Sequence, residues 1–297
     1  AARIFCAPIP ATGMLCCPAI SDAILCGMSA SCRLCETPLT HSVVDLGLTP
    51  LANSYVRPAE LDSREVFFPL HARVCECCWL VQVPQFQTPD AIFRDYAYFS
   101  SFSDSWVEHA RSYVAQVTDR LGLGKSSFVV ELASNDGYLL KHFCAAGIPC
   151  LGIEPALNVA QAAREVGIPT VTEFFTQEYA ARMVADGQSA DLIIGNNVLA
   201  QVPQLKDFCQ GISLLLKPDG VVTIEFPHLL KMLEKNEFDT VYHEHFSYFS
   251  FHAAQGAFAQ AGIRLFDVEE LSTHGGSLRL YGCRKASDRY ATAPAVE

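Results

Sequence analysis

Five cysteines in the first third of the chain have the spacing of metal ligands. They form the pair Cys32-x-x-Cys35 and the cluster Cys75-Glu-Cys77-Cys78. Each CxxC turn can present two thiolates to one ion, and two such turns complete a tetrahedral Zn–S₄ site. Cys78 restores the two-residue gap to Cys75, so the predicted ligands are Cys32, Cys35, Cys75 and Cys78, with Cys77 as a spare thiol. Four thiolates leave no open coordination position, which predicts a structural zinc. The alternative is a cluster of reduced core cysteines without metal.

Acidic residues end two consecutive strand-like segments and predict a cofactor site. The first of these segments ends in Glu131-Leu-Ala133-Ser-Asn135-Asp136-Gly137, and the second in Glu154-Pro155. The first ending resembles the acidic-x-Gly-x-Gly-x-Gly signature of S-adenosylmethionine sites, with Ala and Asn at the first two glycine positions. Small residues let the backbone approach a ligand, and a carboxylate after the second strand can accept both ribose hydroxyls. No GxGxxG is present, which favours the methyl donor over NAD. The alternative is a loop glycine and a surface glutamate. The predicted contacts are Glu131, Ala133, Asn135, Asp136, Gly137, Glu154 and Pro155.

The fourth strand-like segment ends in Asn196 and Asn197. Such residues line the sulfonium methyl and the acceptor in enzymes that use this methyl donor. The signature Asn or Asp followed by Pro-Pro and an aromatic residue is absent, which argues against methylation of exocyclic base nitrogens.

A dense group of ionisable side chains follows the fifth strand-like segment. Its members are Tyr242, His243, Glu244, His245, Tyr248 and His252. Histidine titrates near neutrality and a neighbouring carboxylate can raise its basicity, so the group indicates acid–base chemistry beside the cofactor. In an extended segment alternate residues share a face, so both His243 and His245 are candidate bases. The alternatives are a His-x-His metal site and a group of polar side chains that only face solvent.

The elements that must position these residues alternate between strand and helix. Repeated β-α units with apolar, β-branched strands run from SSFVVELAS to VVTIEFP and predict a parallel, doubly wound sheet. IRLFDVEEL and GSLRLYGC, joined by STHGG, predict a closing antiparallel hairpin. Ligands of such sheets bind at the carboxyl ends of the strands. The predicted fold is therefore α/β, a Rossmann-like class I methyltransferase core preceded by a small four-cysteine zinc-binding module.

Four segments are predicted along the chain. Residues 1–27 are a doubtful N-terminal extension, with natural translation expected to begin at Met28. The zinc-binding module covers residues 28–89, the methyltransferase domain residues 90–285, and a linker residues 286–297. The stretch DYAYFSSFSDS is either a loop packed by its own aromatic residues or a lid over the ligand site.

Composition excludes several partners. The chain has 21 basic and 32 acidic residues and a net charge of −11, which is unfavourable for binding nucleic acid or an anionic membrane. No run of apolar residues is long enough to predict a transmembrane helix. The absence of an export signal, together with metal-type cysteine spacing, predicts a cytoplasmic location.

Motifs along the chain resemble the sugar C-methyltransferases of deoxysugar biosynthesis. They are CRLC, LTPLANSYV, DYAYFSSFSDSW, ELASNDGYLL, GIEPALNVA, GNNVLA, LLLKPDGVVTIEFPHLL, FDTVYHEHFSYFS and THGGSLRLYG. The resemblance covers roughly Ser31 to Gly282. It implies a zinc module, a class I core and a further C-terminal domain, with methylation at C-3 of a dTDP-linked 4-keto-deoxysugar. It also implies His245 as the base, with Tyr96, Tyr242 and Glu244 shaping the sugar site.

The implied reaction removes a proton alpha to a ketone, and the enolate carbon then attacks the sulfonium methyl. Two departures from the family are expected to matter. Gln201 stands where relatives often read NNVLAHVP, and the family's C-terminal domain is absent from the chain, which suggests a fragment. The alternative functions are O- or N-methylation of another small molecule, and a non-catalytic zinc-ribbon binding module.

Overall fold

The computed structural model describes residues 31–94 and 96–297. The predicted extension and Met28 lie outside the described residues. Residues 31–297 cluster as one compact unit, so the predicted zinc module and the predicted methyltransferase domain are packed together.

A small antiparallel sheet carries the cysteine turns. Its strands, in spatial order, are β1 (His41–Thr49), β2 (Phe68–Val74), β3 (Val81–Gln82) and β9 (Ser247–Tyr248). The first three strands belong to the predicted zinc module. The fourth comes from the ionisable YHEH segment much later in the chain, so the module and that segment share one sheet.

The main sheet has seven strands in the order β6-β5-β4-β7-β8-β11-β10. Strands β4 to β8 are parallel, and β11 is antiparallel to both of its neighbours, β8 and β10. This is the predicted class I methyltransferase topology. The strands are β4 (Val129–Leu132), β5 (Cys150–Ile153), β6 (Thr170–Val171), β7 (Ala190–Asn196), β8 (Leu216–Pro227), β10 (Ile263–Leu271) and β11 (Ser277–Arg284).

Helices cover both faces of the main sheet, which leaves β4 buried along its whole length. The helices are α1 (Pro89–Phe93), α2 (Asp104–Leu121), α3 (Leu140–Ala145), α4 (Leu157–Glu165), α5 (Gln177–Ala185), α6 (Leu205–Leu215), α7 (Leu229–Lys235) and α8 (Phe251–Gln260). One apolar cluster holds residues of α2, α3 and α4, and another holds residues of α5, α6 and α8. Among the described residues, none of the helices has the length and apolar character needed to cross a membrane.

Residues 286–297, predicted as a linker, pack along the outer strand β10. The Arg264 guanidinium donates to the carbonyl oxygens of Ser287 and Tyr290, and the Tyr290 ring stacks on Phe266 at 4.6 Å. The Ala293 amide donates to the Phe266 carbonyl at 2.8 Å. This segment therefore continues the packing of the domain.

Candidate active site

A cavity of about 760 Å³ opens at the carboxyl ends of β4, β5, β7 and β8. This volume is in the range of small-molecule sites, and the position is the one expected for ligands of a doubly wound sheet. Nine of the predicted site residues line it: Tyr96, Ala133, Asn135, Glu154, Pro155, Asn196, Asn197, Tyr242 and His245. Four predicted site residues are not in its wall: Glu131, Asp136, Gly137 and Glu244.

The turn after β4 holds an unusual backbone conformation. Ala133 and Asn135 have φ of 55° and 51°, in the left-handed region that side chains rarely occupy, and Gly137 has φ of 78°. A Cβ at Gly137 would also lie 2.8 Å from Cγ1 of Ile168. Strained backbone of this kind concentrates at ligand sites, because the turn must bring main-chain groups close to a bound molecule.

The side chains of Asn135 and Asp136 fasten the predicted lid segment to this turn. Oδ1 of Asn135 accepts from the Ser100 amide at 2.9 Å, and Nδ2 donates to the Tyr98 carbonyl at 3.0 Å. Oδ2 of Asp136 accepts from the Ser101 amide at 3.0 Å. Both side chains therefore hold residues 98–101 beside the cavity, a contribution that the cofactor motif did not predict.

Glu154 lies in the cavity wall, directly after β5. Its carboxylate is buried, and its two oxygens accept from the amides of Asn135 and Ala156, each at 2.8 Å. Burial, reinforced by the charge of Asp136, raises the pKa of Glu154 to about 7. Each oxygen keeps a second lone pair, so the carboxylate can still accept ribose hydroxyls.

Several buried polar atoms around the cavity lack a hydrogen-bond partner within the described part of the chain. They include Oε2 of Glu131, Nδ2 of Asn196 and Oδ1 of Asn197. Burial and the charges of Glu154 and Asp136 raise the pKa of Glu131 well above its usual range. Unpaired buried polar groups are rare, so their concentration here fits a polar, cationic ligand. The residues present therefore fit S-adenosylmethionine.

Tyr242 and His245 form a hydrogen-bonded pair in the cavity wall. The Tyr242 hydroxyl lies 2.7 Å from Nε2 of His245. Burial lowers the pKa of His245 to about 4, and His274 lowers it further, against a hydrogen bond to the Thr240 backbone that raises it. His245 is therefore neutral near pH 7, the state in which an imidazole can accept a proton.

Tyr96 lies in the same wall as a neutral phenol. Burial raises the pKa of Tyr96 to about 12, and Nε2 of Gln201 donates to its hydroxyl at 3.4 Å. Its main chain is held on both sides by Asn158, which accepts from the Tyr96 amide and donates to its carbonyl. The departure at Gln201 thus places a polar contact directly on a predicted site residue.

His243 and Glu244 point to the zinc module. Nε2 of His243 lies 3.1 Å from the Pro69 carbonyl, and its ring packs edge-on to Phe68. Oε1 of Glu244 accepts from Nδ2 of Asn53 at 2.9 Å, and Asn53 lines the cavity. Burial raises the pKa of Glu244. Of the two candidate bases left open by the sequence, only His245 reaches the cavity.

The four predicted zinc ligands come together. The sulfur atoms of Cys32, Cys35, Cys75 and Cys78 all lie within 4.8 Å of one another. A tetrahedral ion with Zn–S bonds of ~2.3 Å needs sulfur atoms about 3.8 Å apart, so a modest adjustment accommodates it. Cys77 is exposed, and its amide donates to Sγ of Cys75. The donor set fits a closed, structural zinc.

We expect one tightly held zinc per chain, measured by elemental analysis of freshly purified protein. Cys78→Ser should release the metal, because three thiolates cannot close the site. Cys77→Ser is the matched control and should retain it, since that side chain lies outside the cluster. Zinc loss in the Cys77 variant with retention in the Cys78 variant would show that the wrong thiol was assigned.

The cavity residues that were missed at the sequence level include His274 and Trp106. His274 lies in the STHGG turn with φ of 49° and lines the cavity. Its turn was interpreted only as a hairpin connection, although a histidine between strands at the sheet's ligand-binding edge was a usable signal. Trp106 packs on the buried side of α2, and it also lines the cavity.

The predicted zinc-binding module and the predicted methyltransferase domain each match a known protein family. Residues 32–93 match a family described as "Putative zinc binding domain", and residues 106–268 match a family described as "Methyltransferase domain". C-methyltransferase NovU from Streptomyces niveus is 36% identical over 265 residues, which are 89% of this chain and 63% of that protein. The chain thus spans less than two thirds of that relative's length.

Solved structures resemble the chain more distantly. Magnesium protoporphyrin IX methyltransferase from Synechocystis PCC 6803 shares 16% identity at a TM-score of 0.47, covering 60% of this chain and 83% of its own. The CcbJ methyltransferase from Streptomyces caelestis shares 14% identity at a TM-score of 0.46, covering 60% and 90%.

The methyltransferase family model alone covers more than half of the chain, residues 106–268 of 297. Most residues of the cavity wall lie in that domain, and the cavity residues fit the methyl donor. The chain belongs to the S-adenosylmethionine-dependent methyltransferases and carries a zinc-binding domain before its catalytic core.

Proposed function

We propose that the chain is a C-methyltransferase acting on C-3 of a dTDP-linked 4-keto-deoxysugar. The observation that carries the proposal is the neutral His245, paired with Tyr242 in the wall of the cofactor cavity. Methylation of a carbon needs a base that removes a C–H proton. Many oxygen and nitrogen acceptors do not need a base at that position. The name of NovU supports carbon as the acceptor atom, and the family resemblance supports the sugar.

The chain's own residues hold the methyl donor. Glu154 accepts from the ribose hydroxyls, and Asn196 and Asn197 offer their unpaired amide groups near the reacting end. When bound, S-adenosylmethionine supplies an electrophilic methyl group to the acceptor carbon, with the C–S electron pair left on sulfur.

His245 removes the proton from C-3. The C–H bond breaks, the proton moves to the Nε2 lone pair as the Tyr242 hydroxyl releases its hydrogen bond to that nitrogen, and the electron pair delocalises onto the 4-keto oxygen of the sugar. The Tyr242 hydroxyl and Nε2 of His245 are the contacting atoms of this pair in the cavity wall. Nε2 is therefore the basic atom, and the Tyr242 hydroxyl, 2.7 Å away, orients it.

Tyr96 and Gln201 stabilise the enolate oxygen. Tyr96 remains protonated because its pKa is raised to about 12, so its hydroxyl can donate to a developing negative charge. Gln201 fixes the direction of that hydroxyl through its 3.4 Å hydrogen bond. A positioned neutral donor costs no reorganisation when the charge appears.

The direct test incubates the protein with dTDP-linked 4-keto-deoxysugars and the methyl donor. Mass spectrometry should show the gain of one methyl group, and NMR should place that methyl on C-3. A methyl group on oxygen or nitrogen would contradict carbon transfer and favour the alternative acceptor class. Transfer only to acceptors without a ketone would contradict the enolate chemistry.

The pH profile of the activity should begin to decline only at an unusually acidic pH. A base is active when neutral, and burial lowers the pKa of His245 from 6.5 to about 4. At saturating methyl donor, kcat/KM for the acceptor should therefore stay level as the pH falls through 6.5 and decline only as it approaches 4. A loss of kcat/KM centred at 6.5 would mean that the base is a histidine exposed to solvent.

A further inference from the structure

We infer that the zinc-binding module positions the catalytic base, with Gln82 as the side chain that connects the metal cluster to the His245 segment. The consequence for turnover rests on the proposed function. The mechanical connection rests on the contacts alone.

Residues on both sides of His245 are held by the zinc module. Upstream, His243 contacts the Pro69 carbonyl and Glu244 accepts from Asn53. Downstream, the Val83 amide donates to the Phe246 carbonyl at 3.1 Å. Next, β9 pairs with β3, which places Ser247 opposite Gln82 and Tyr248 opposite Val81. His245 is the member of this run that faces the cavity.

Gln82 makes the connection to the metal ligands. Its side chain is 2% exposed, and Nε2 donates to Sγ of Cys32 at 3.2 Å. Oε1 accepts from the Arg33 amide at 3.0 Å, within the first CxxC turn. The same residue supplies the β3 backbone that pairs with Ser247. One buried amide thus joins a zinc thiolate to the strand beside the base.

Arg33 makes a second connection from the same turn. Its Nη2 donates to the Val83 carbonyl at 2.6 Å, and its guanidinium lies 5.5 Å from the centre of the Phe246 ring. Val83 in turn bonds to Phe246, the residue directly after His245. These contacts of Arg33 therefore lead from the CxxC turn to the segment that carries the base.

The Tyr248 hydroxyl continues the chain of contacts to the catalytic pair. It accepts from the Tyr242 amide at 3.2 Å, and its ring lies edge-on to His245 at 6.2 Å. A shift of β9 would therefore displace both partners of the 2.7 Å hydrogen bond between Tyr242 and His245. Because β9 has two residues, most of its placement comes from β3 and not from its own length.

The test measures backbone hydrogen exchange in the holoprotein, in the chelated protein and in Gln82→Met. Gln82→Met keeps the volume and the strand but removes the side-chain hydrogen bonds to Cys32, Arg33 and Leu80. Peptides covering residues 243–250 should exchange at least about tenfold faster in both altered forms, while peptides covering β4 keep their protection. Gln85→Met is the matched control, because Gln85 is exposed and makes no contact with the cluster. It should exchange like the parent.

Catalysis gives a second, separate readout. Gln82→Met should keep its zinc and its affinity for the methyl donor but lose about tenfold or more in kcat, as is usual for partners of metal ligands. A general loss of structure would lower donor affinity as well.

Unchanged protection at residues 243–250, in a protein whose cysteine turns have opened on chelation, would overturn the inference. If chelation also lowers the protection of β4, the inference is decided by exchange at residues 243–250 in the zinc-loaded Gln82→Met variant. Hydrogen exchange is measured without turnover. If residues 243–250 exchange faster in the altered forms but no sugar is methylated, only the proposed function is refuted. If the sugar is methylated but exchange at residues 243–250 is unchanged, only the positioning role of the zinc module is refuted.

Discussion

Replacing His245 with asparagine is expected to lower turnover by about 10²–10⁴-fold, the usual contribution of a general base. Asparagine keeps a polar group near Tyr242 but cannot take the C-3 proton. Affinity for the methyl donor, measured by calorimetry, should barely change, because the residues proposed to hold its ammonium group and ribose, Glu131 and Glu154, belong to β4 and to the turn after β5. A loss of donor affinity as large as the loss of turnover would mean that the substitution disturbed the whole cavity.

His252→Asn is the matched control for this experiment. His252 is the second residue of α8 and is exposed, so its loss should leave turnover intact. Exchange of the acceptor's alpha proton into deuterated water, without methyl donor, isolates the first step. If the His245 variant exchanges that proton at the parental rate while a His243→Asn variant does not, His243 is the base and the cavity assignment is wrong.

Replacing Glu154 with glutamine is expected to weaken binding of the methyl donor by about 1.5–3 kcal/mol, the usual range for a hydrogen bond to a charged group. Glutamine is a closer substitute than alanine, since Glu154 also accepts from the amides of Asn135 and Ala156. Glu165→Gln, on the exposed side of α4, should bind the donor like the parent. Equal affinity in the Glu154 and Glu165 variants would show that the ribose lies elsewhere.

The pH dependence of donor binding should report the same carboxylate. Ribose hydroxyls donate to the ionised form, so affinity should fall as the pH drops through about 7, the raised pKa of Glu154. Because the folded pKa lies above its usual 4.5, the buried carboxylate also destabilises the donor-free protein as the pH rises through about 7. Glu154→Gln should abolish both effects.

Local patterns in the sequence were enough for the main sheet and the metal ligands. The alternation of strand and helix predicted the topology, and the two-residue gap between Cys75 and Cys78 predicted which thiol joins the cluster. Such features depend on neighbours a few residues apart. The fold class was therefore available before any contact was known.

Contacts distant in sequence could not be inferred in the same way. The Asn135 and Asp136 side chains hold the main chain of residues 98–101, and nothing in the cofactor motif specifies that partner. Glu244 was expected to shape the sugar site, and its hydrogen bond to the cavity residue Asn53, far away in the sequence, could not be inferred from the motif. The final segment was taken for a linker from its composition, whereas Tyr290 finds a stacking partner in Phe266.

The placement of β9 in the small sheet also has a consequence for synthesis of the chain. The cysteine turns can close around an ion soon after Cys78 leaves the ribosome, whereas β3 must wait for Ser247 and Tyr248 before its outer edge is paired. Until then, the nascent chain has most of its strands, but the outer edge of β3 is unpaired. Such an edge promotes association between chains. Slow elongation between the second cysteine turn and β9 should therefore increase aggregation, and faster elongation there should reduce it.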